Sequence, residues 1–272
     1  AELVNIQNSV ENIEDQINGK FERIGEIDAA IDNPDFDGTR DKFSDIDTEI
    51  ENSDFDETYD KFSEIDYEDA KNVQKQSIKV GDVIKLGSYR LDNENGNVVE
   101  KIKWKVLDVQ DNKALLISKY GLQARAYNDE LISVTWENCT LRKWLNDDFY
   151  NEAFSSETKN VIFESEVTSE DNPELGTSAG NSTKDKLFLL SISEAQIYFK
   201  SDKDRECKAT EYAIKNGAYS SDNNVTCWWL RSPGVDCDMA AFVDKDGYVF
   251  VDGCDVDDNT HTVRPAMWIS MK

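Results

Sequence analysis

The chain has 272 residues, 39% of them hydrophobic and six of them Trp, and it carries a formal net charge of −26. That length accommodates one large domain or two ordinary ones with a real core. The charge excludes the Lys/Arg stripes that a phosphate backbone or an anionic membrane requires, and no apolar run approaches the roughly 18–20 residues of a transmembrane helix, so neither nucleic acid nor a membrane span is expected.

The N-terminal segment, 1–77, holds 23 acidic and 7 basic residues. Leu3, Ile6, Val10, Ile13 and Ile17, then Phe21, Ile24, Ile27 and Ile31, form a near-heptad stripe and predict one long helix. It should end near Asn33-Pro34, where Pro suits the first position of a new helix. An internal repeat follows: "DFDGTRDKFSDID" at 35–47 recurs as "DFDETYDKFSEID" at 54–66, offset by 19 residues. Each copy places Phe, Thr, Phe and Ile on one helical face (36, 39, 43, 46 and 55, 58, 62, 65), with Ser53 and Asp56 resembling a capping box. The expectation is a helical stalk, adaptor or small bundle, with oligomerisation through these helices. Its acids read as a solvated surface, since no EF-hand loop is present. No signal peptide is read, although Ala1 is compatible with following a removed one.

From residue 78 the pattern changes to short strands. Val80, Val83, Ile84 and Leu86 begin it, and "KIKWKVLDVQDNKALLISKY" predicts a hairpin turning at Asp111-Asn112. "TWENCTLRKWLNDDFYNEAF" predicts a helix capped by Thr135, with Leu141, Trp144, Leu145 and Phe149 inward and Cys139 buried in it. "SEDNPELGTSAGNSTKD" reads as a long polar loop. "KLFLLSISEAQIYF" reads as a strand followed by a helix capped at Ser191 or Ser193. "CWWLRSPG" and "VRPAMWISM" read as strands, with Trp228 and Trp229 on opposite faces. Mixed strands with two helices between them predict an α+β domain over 78–272.

One window stands apart. From Val235 to Thr262 there are eight Asp and no Glu, although the chain has 33 Asp and 23 Glu. Within it, "VDKDGYVFVD" has the pattern of a hairpin around Asp246-Gly247, a strong two-residue turn signal. Period two sends Ala241, Val243, Val249 and Val251 to the core, and Phe242, Asp244, Tyr248, Phe250 and Asp252 outward. Rigid aromatics beside hydrogen-bond acceptors have the chemistry of a recognition surface; an ordinary solvated face is the competing reading. Val235, Asp236, Cys237 and Asp238 precede the hairpin. Cys254, Asp255, Asp257, Asp258, Asn259 and His261 follow it and complete the candidate face. The acidic charge favours a basic or neutral partner.

The segment 78–272 resembles a family of uncharacterised domains common in Gram-positive gut bacteria. The phrases that carry the resemblance are "GDVIKLGSY", "IKWKVLDV", "ALLISKYGL", "TWENCTLRKWLNDDFYNEAF", "DKLFLLSISEAQIYF", "CWWLRSPG" and "VRPAMWI". That family resembles the C-type-lectin fold in its formylglycine-generating-enzyme variety, a fold also used by the variable proteins of diversity-generating retroelements. The resemblance implies a C-type-lectin-like ligand-binding domain at the cell surface, outside the cell or on a phage particle, with a protein or a cell-surface glycan as partner. Retroelement diversification acts at template adenines, often in AAC codons. Changing the two adenines reaches Asp, Tyr, Phe, Cys, His, Val and Thr, but never Glu, Gln, Lys, Met or Trp. Only Met239 and Lys245 in the window fall outside the reachable set, so a variable region over 235–262 is expected, with "WWLRSPG" and "VRPAMWI" as fixed flanks.

Catalysis is the runner-up. His261, the chain's one His, lies in "DDNTHTVRP" and reads as a solvated loop residue. The formylglycine-generating enzymes need a reactive cysteine pair with copper; Cys207, Cys227, Cys237 and Cys254 do not match their motif, and an acidic setting disfavours thiolates. Cys207 and Cys227 are alternatively a disulfide pair. A purely structural surface or virion component is a third reading. No metal site and no cofactor are expected. Calcium, the alternative, would use Asp252, Asp255, Asp257, Asp258 and Asn259, but the paired sugar-lectin motifs Glu-Pro-Asn and Trp-Asn-Asp are missing. Arg231 and Arg264 read as structural ion pairs or backbone hydrogen bonds clamping loop bases, and one of Trp228 and Trp229 as the floor of the ligand surface.

Overall fold

A computed structural model describes residues 64–66, 78–91 and 99–271. The chain divides into two units, Ala1–Tyr59 and Asp60–Lys272, and every described residue belongs to the second. The long helix and the first repeat copy expected in 1–77 lie outside the described residues. So does most of the second copy, but its end does not: Glu64–Asp66 is a short strand, β1, running parallel to β2. Ile65 therefore does not lie on a helical face. It pairs with Ile84 at the sheet edge.

The domain is mixed and mostly strand. One five-stranded sheet has the order β1-β2-β3-β4-β12, built from β2 (Val83–Arg90), β3 (Val99–Gln110), β4 (Lys113–Ser118) and β12 (Ala266–Ser270). The hairpin turning at Asp111-Asn112 forms as expected: β3 pairs with β4 through Gln110 and Lys113, and Asp111 takes the left-handed backbone (φ 49°) that its short polar side chain tolerates. Ile102, Trp104 and Val106 point inward and are fully buried. A second sheet has the order β10-β9-β8-β11-β5, from β8 (Trp228–Pro233), β9 (Met239–Val243), β10 (Val249–Asp255), β11 (Thr262–Val263) and β5 (Gln123–Ala124). β6 (Ser165–Val167) and β7 (Thr183–Asp185) form a small ribbon. One apolar core, with Ile84, Trp104, Leu116, Trp228, Trp229 and Met267 at full burial, joins the two larger sheets.

The first helix begins later than expected. α1 spans Thr140–Trp144, passes through a π-helical turn at Leu145–Phe149 and continues as α2, Tyr150–Ala153. Thr135 does not cap it; the carbonyl of Thr135 instead closes a turn by accepting from the amides of Asn138 and Cys139. The cap is Cys139, whose sulfur accepts from the Arg142 amide at 3.4 Å. The sequence favours Thr as a cap, but Trp136 is buried and its indole donates to Asp185 at 2.9 Å, which holds 136–138 out of the helix. α3 (Ser156–Lys159) follows. α4 (Ile192–Tyr198) starts at Ser191, where the Ser hydroxyl and Glu194 complete a capping box. The expected strand before it reduces to a single bridge, Phe188 to Ala266. α5 (Asp202–Arg205) and α6 (Glu211–Lys215) complete the set.

Candidate functional site

The β9–β10 hairpin alternates as its sequence predicts, up to a point. Ala241 and Val243 are fully buried and Val249 nearly so, while Tyr248 is 56% and Phe250 41% exposed. The turn differs from a two-residue turn. Gly247 donates to the Asp244 carbonyl at 3.1 Å, so Lys245 and Asp246 are the central residues, and Gly247 (φ 78°) is the bulge residue that rejoins the ladder. The Asp244 carboxylate selects this turn by accepting from the amides of Asp246 and Tyr248, each at 2.9 Å.

Beyond Phe250 the alternation fails. Phe250 faces Phe242 but Cys254 faces Ala240, so β10 carries extra residues between them. Gly253 (φ 82°) sits there, where a Cβ would meet the Ala240 carbonyl at 2.7 Å. Asp252 falls in this irregular stretch and is exposed. The open aromatic face therefore ends at Phe250.

Both ends of the hairpin are pinned. At the turn, buried Arg205 donates to the Gly247 carbonyl at 2.8 Å, and a Cβ on Gly247 would run into the Asp202 carbonyl of α5. At the other end, buried Asn172 donates to the carbonyls of Pro233 and Val251, each at 2.9 Å. Its own carbonyl oxygen accepts from Glu174 and Leu175. Nothing in the polar loop "SEDNPELG" distinguishes Asn172 from its neighbours in sequence; its role is set by strands some 60 to 80 residues away in the chain.

The aromatics form a continuous ladder. Tyr248 meets Phe250 edge-on at 6.0 Å, Phe250 stacks on Phe242 at 5.2 Å, and Phe242 meets His261 edge-on at 4.5 Å. His261 stacks on Trp229 at 4.3 Å. Trp229 is the floor: it is fully buried, and its indole donates to the Arg125 carbonyl at 2.9 Å. Trp228 points to the other face, donates to the Arg205 carbonyl at 3.1 Å and lies under the Arg264 guanidinium.

His261 corrects the sequence reading. It is 6% exposed, not a solvated loop residue. The polar neighbours in "DDNTHT" suggest a loop, but Thr262 pairs with Trp228 and draws the imidazole between Trp229 and Phe242. Burial holds the imidazole below its ordinary value, and Asp258, with Oδ1 3.7 Å from Nδ1, offsets part of that. Neither ring nitrogen has a hydrogen-bond partner. Burial by itself would raise the Asp258 carboxyl, yet the Thr260 hydroxyl and amide, both donating at 2.7 Å, bring it below the usual range. Cys254 donates to the other Asp258 oxygen at 3.4 Å. Cys254, Asp258 and His261 thus place one ligand atom each within 4.8 Å of the others. Asp252, Asp255 and Asp257 join no such group among the described residues.

The remaining window residues lie apart from the ladder. Val235, Asp236 and Cys237 are exposed on the β8–β9 connection, with Asp238 half-buried beside them. Asp255, Asp257 and Asn259 are exposed on the segment leading to β11. The two arginines act on backbone. Arg231 pairs with Glu194 and donates to the carbonyls of Leu189 (2.8 Å) and Thr168 (3.0 Å). Arg264 donates to Ser118 at 3.0 Å and Arg205 at 3.2 Å.

All five cysteines are free thiols, Cys207 and Cys227 included. Burial pushes Cys139 up to about 12 and both Cys227 and Cys254 up to about 11, and it raises Cys207 as well. A cleft of about 630 Å³ opens away from the window, lined by β2, β3 and α2–α3 residues such as Gly87, Lys101, Glu152 and Phe154. Its charged side chains reach solvent, and none of the orphaned buried polar atoms lies in it. The hairpin face is the better candidate.

The domain belongs to the family described as Domain of unknown function (DUF6273), which matches residues 111–271. The match covers both large sheets in part and the whole hairpin. No curated protein matches the chain, and no solved structure does. Among the described residues no helix is long and apolar enough to cross a membrane.

Proposed function

We propose that this chain is a non-enzymatic ligand-binding display protein. Its C-terminal domain, of C-type-lectin type, presents the outer face of the β9–β10 hairpin to a protein or a cell-surface glycan, and the N-terminal segment serves as stalk or adaptor. The observation that carries this reading is the pair of exposed rings Tyr248 and Phe250, continued inward by half-buried Phe242, on a hairpin pinned at both ends. Preorganised aromatic area binds with little ordering cost. The acids around it, Asp244 and Asp252, favour a basic or neutral partner. Burial raises the thiols of Cys139, Cys207 and Cys227, which disfavours metal-free thiolate chemistry at those three positions.

Diversification by a retroelement fits the same face. Exposed window positions such as Tyr248, Phe250, Asp257 and Asn259 tolerate exchange, whereas Ala241, Val243, Val249 and Val256 are core. The DNA of codons 235–262 from several clones tests this: adenine-directed differences at the exposed positions and a neighbouring reverse transcriptase are expected. Synonymous variation alone, with no template repeat, contradicts the diversified reading. Recognition itself is tested by screening the purified protein on glycan and peptide arrays. Retention of defined ligands is expected, and its loss in Tyr248→Ala. Equal retention by that variant overturns the assignment of the face.

A further inference from the structure

We propose that Cys254, Asp258 and His261 form a binding site for a divalent transition-metal cation of the zinc class. The inference goes beyond the recognition reading and does not depend on it. Three different ligand types converge from a stretch of eight residues, with their donor atoms within 4.8 Å of one another. A tetrahedral ion with bonds of about 2.0–2.3 Å separates its donors by about 3.3–3.8 Å. The Asp258 carboxylate lies between the other two ligands at separations in that range, with Oδ2 3.4 Å from Cys254 Sγ and Oδ1 3.7 Å from His261 Nδ1.

A second observation points to the same place independently. His261 is 6% exposed, and neither ring nitrogen has a partner. A buried polar group without a hydrogen bond is costly, and a cation would give Nδ1 the partner it lacks. The ligands are also held in place. Stacking on Trp229 and the edge of Phe242 fix the imidazole plane, and two donors from Thr260 fix the carboxylate.

The donor set decides the class of metal. Sulfur and imidazole with one carboxylate suit zinc and cobalt, whereas calcium and magnesium require mostly oxygen. Binding replaces the Cys254 S–H bond with a sulfur–metal bond and releases one proton to solvent. With three protein ligands, a tetrahedral ion keeps one position for water or for an oxygen or nitrogen donor of a bound molecule. That position would lie beside the half-exposed Asp258 and Cys254.

Cobalt(II) titration of the chelator-treated full chain, with zinc competition, tests the site. The expected result is one equivalent of tight binding with thiolate-to-cobalt absorption in the near ultraviolet, displaced by zinc and not by excess calcium. Cys254→Ser should abolish that absorption and weaken zinc binding about 100-fold. His261→Gln should weaken binding to a similar degree; if its circular dichroism shows misfolding, Asp258→Asn, at a half-buried position, replaces it. Absence of the thiolate band, displacement by calcium, or equal zinc affinity in wild type and Cys254→Ser would each overturn the proposal. The last two would assign the binding to the chain's general acidic surface.

Discussion

Two hairpins in this domain share an architecture and differ in the face they show to water. In β3–β4 the inward positions Ile102, Trp104 and Val106 are fully buried, and the alternating outward positions are Lys101, Lys103 and Lys105. In β9–β10 the inward positions Ala241 and Val243 are just as buried, but the outward positions are Phe242, Tyr248 and Phe250. A lysine face lays its stems over the sheet and keeps its charge in water. An aromatic face left 41–56% exposed at Phe250 and Tyr248 forgoes burial, roughly 1–2 kcal/mol per ring. Folding does not require that arrangement, which is why the proposed recognition role falls on the second hairpin. The pinning of its two ends points the same way, because fixed rings lose little entropy on binding.

The largest effects are expected on the buried sides of the two hairpins. Trp104→Ala and Trp229→Ala should each cost roughly 3–5 kcal/mol, since both indoles are fully buried and donate to a carbonyl, of Leu86 and Arg125 respectively. Chemical denaturation of the two variants should give similar midpoints. Next is the pin at the hairpin base: Asn172→Ala leaves the Pro233 and Val251 carbonyls without their donor and should cost about 2–3 kcal/mol. Faster amide exchange confined to β9 and β10 would locate that effect. Gly247→Ala adds a Cβ against the Asp202 carbonyl at φ 78° and should cost roughly 1–3 kcal/mol, read as a lowered melting temperature. The smallest stability effects belong to the outward faces. Lys103→Ala should stay within about 0.5 kcal/mol, Phe250→Ala should cost about 1 kcal/mol by losing its stacking on Phe242, and only the second should change binding.

Much of this was legible in the sequence. The period-two pattern identified both hairpins, because each has one face on the core and one in water. The cap of α4 was legible as Ser191 or Ser193, and the structure selects Ser191, whose partner Glu194 lies three residues on. What escaped was set by distant contacts. His261 looked solvated because its sequence neighbours are polar, yet Trp229, 32 residues earlier, buries it. The Cys254–Asp258–His261 group was hidden by the irregular stretch at Gly253, which breaks the alternation that would have placed Cys254. Nothing local showed that Asn172 and Arg205 pin the hairpin, since the carbonyls they hold, those of Pro233, Val251 and Gly247, lie some 40 to 80 residues further along the chain. Thr135 lost the helix cap to Cys139 because buried Trp136, bonded to Asp185, ties down the intervening turn.

The most direct test is to measure folding and binding together in the double variant Tyr248→Ala/Phe250→Ala. On the present account its denaturation midpoint falls much less than that of Trp229→Ala, while the glycans or peptides that the wild-type domain retains are lost. If binding survives, or if the double variant is destabilised as severely as Trp229→Ala, the rings serve the fold and the hairpin face is not the recognition surface.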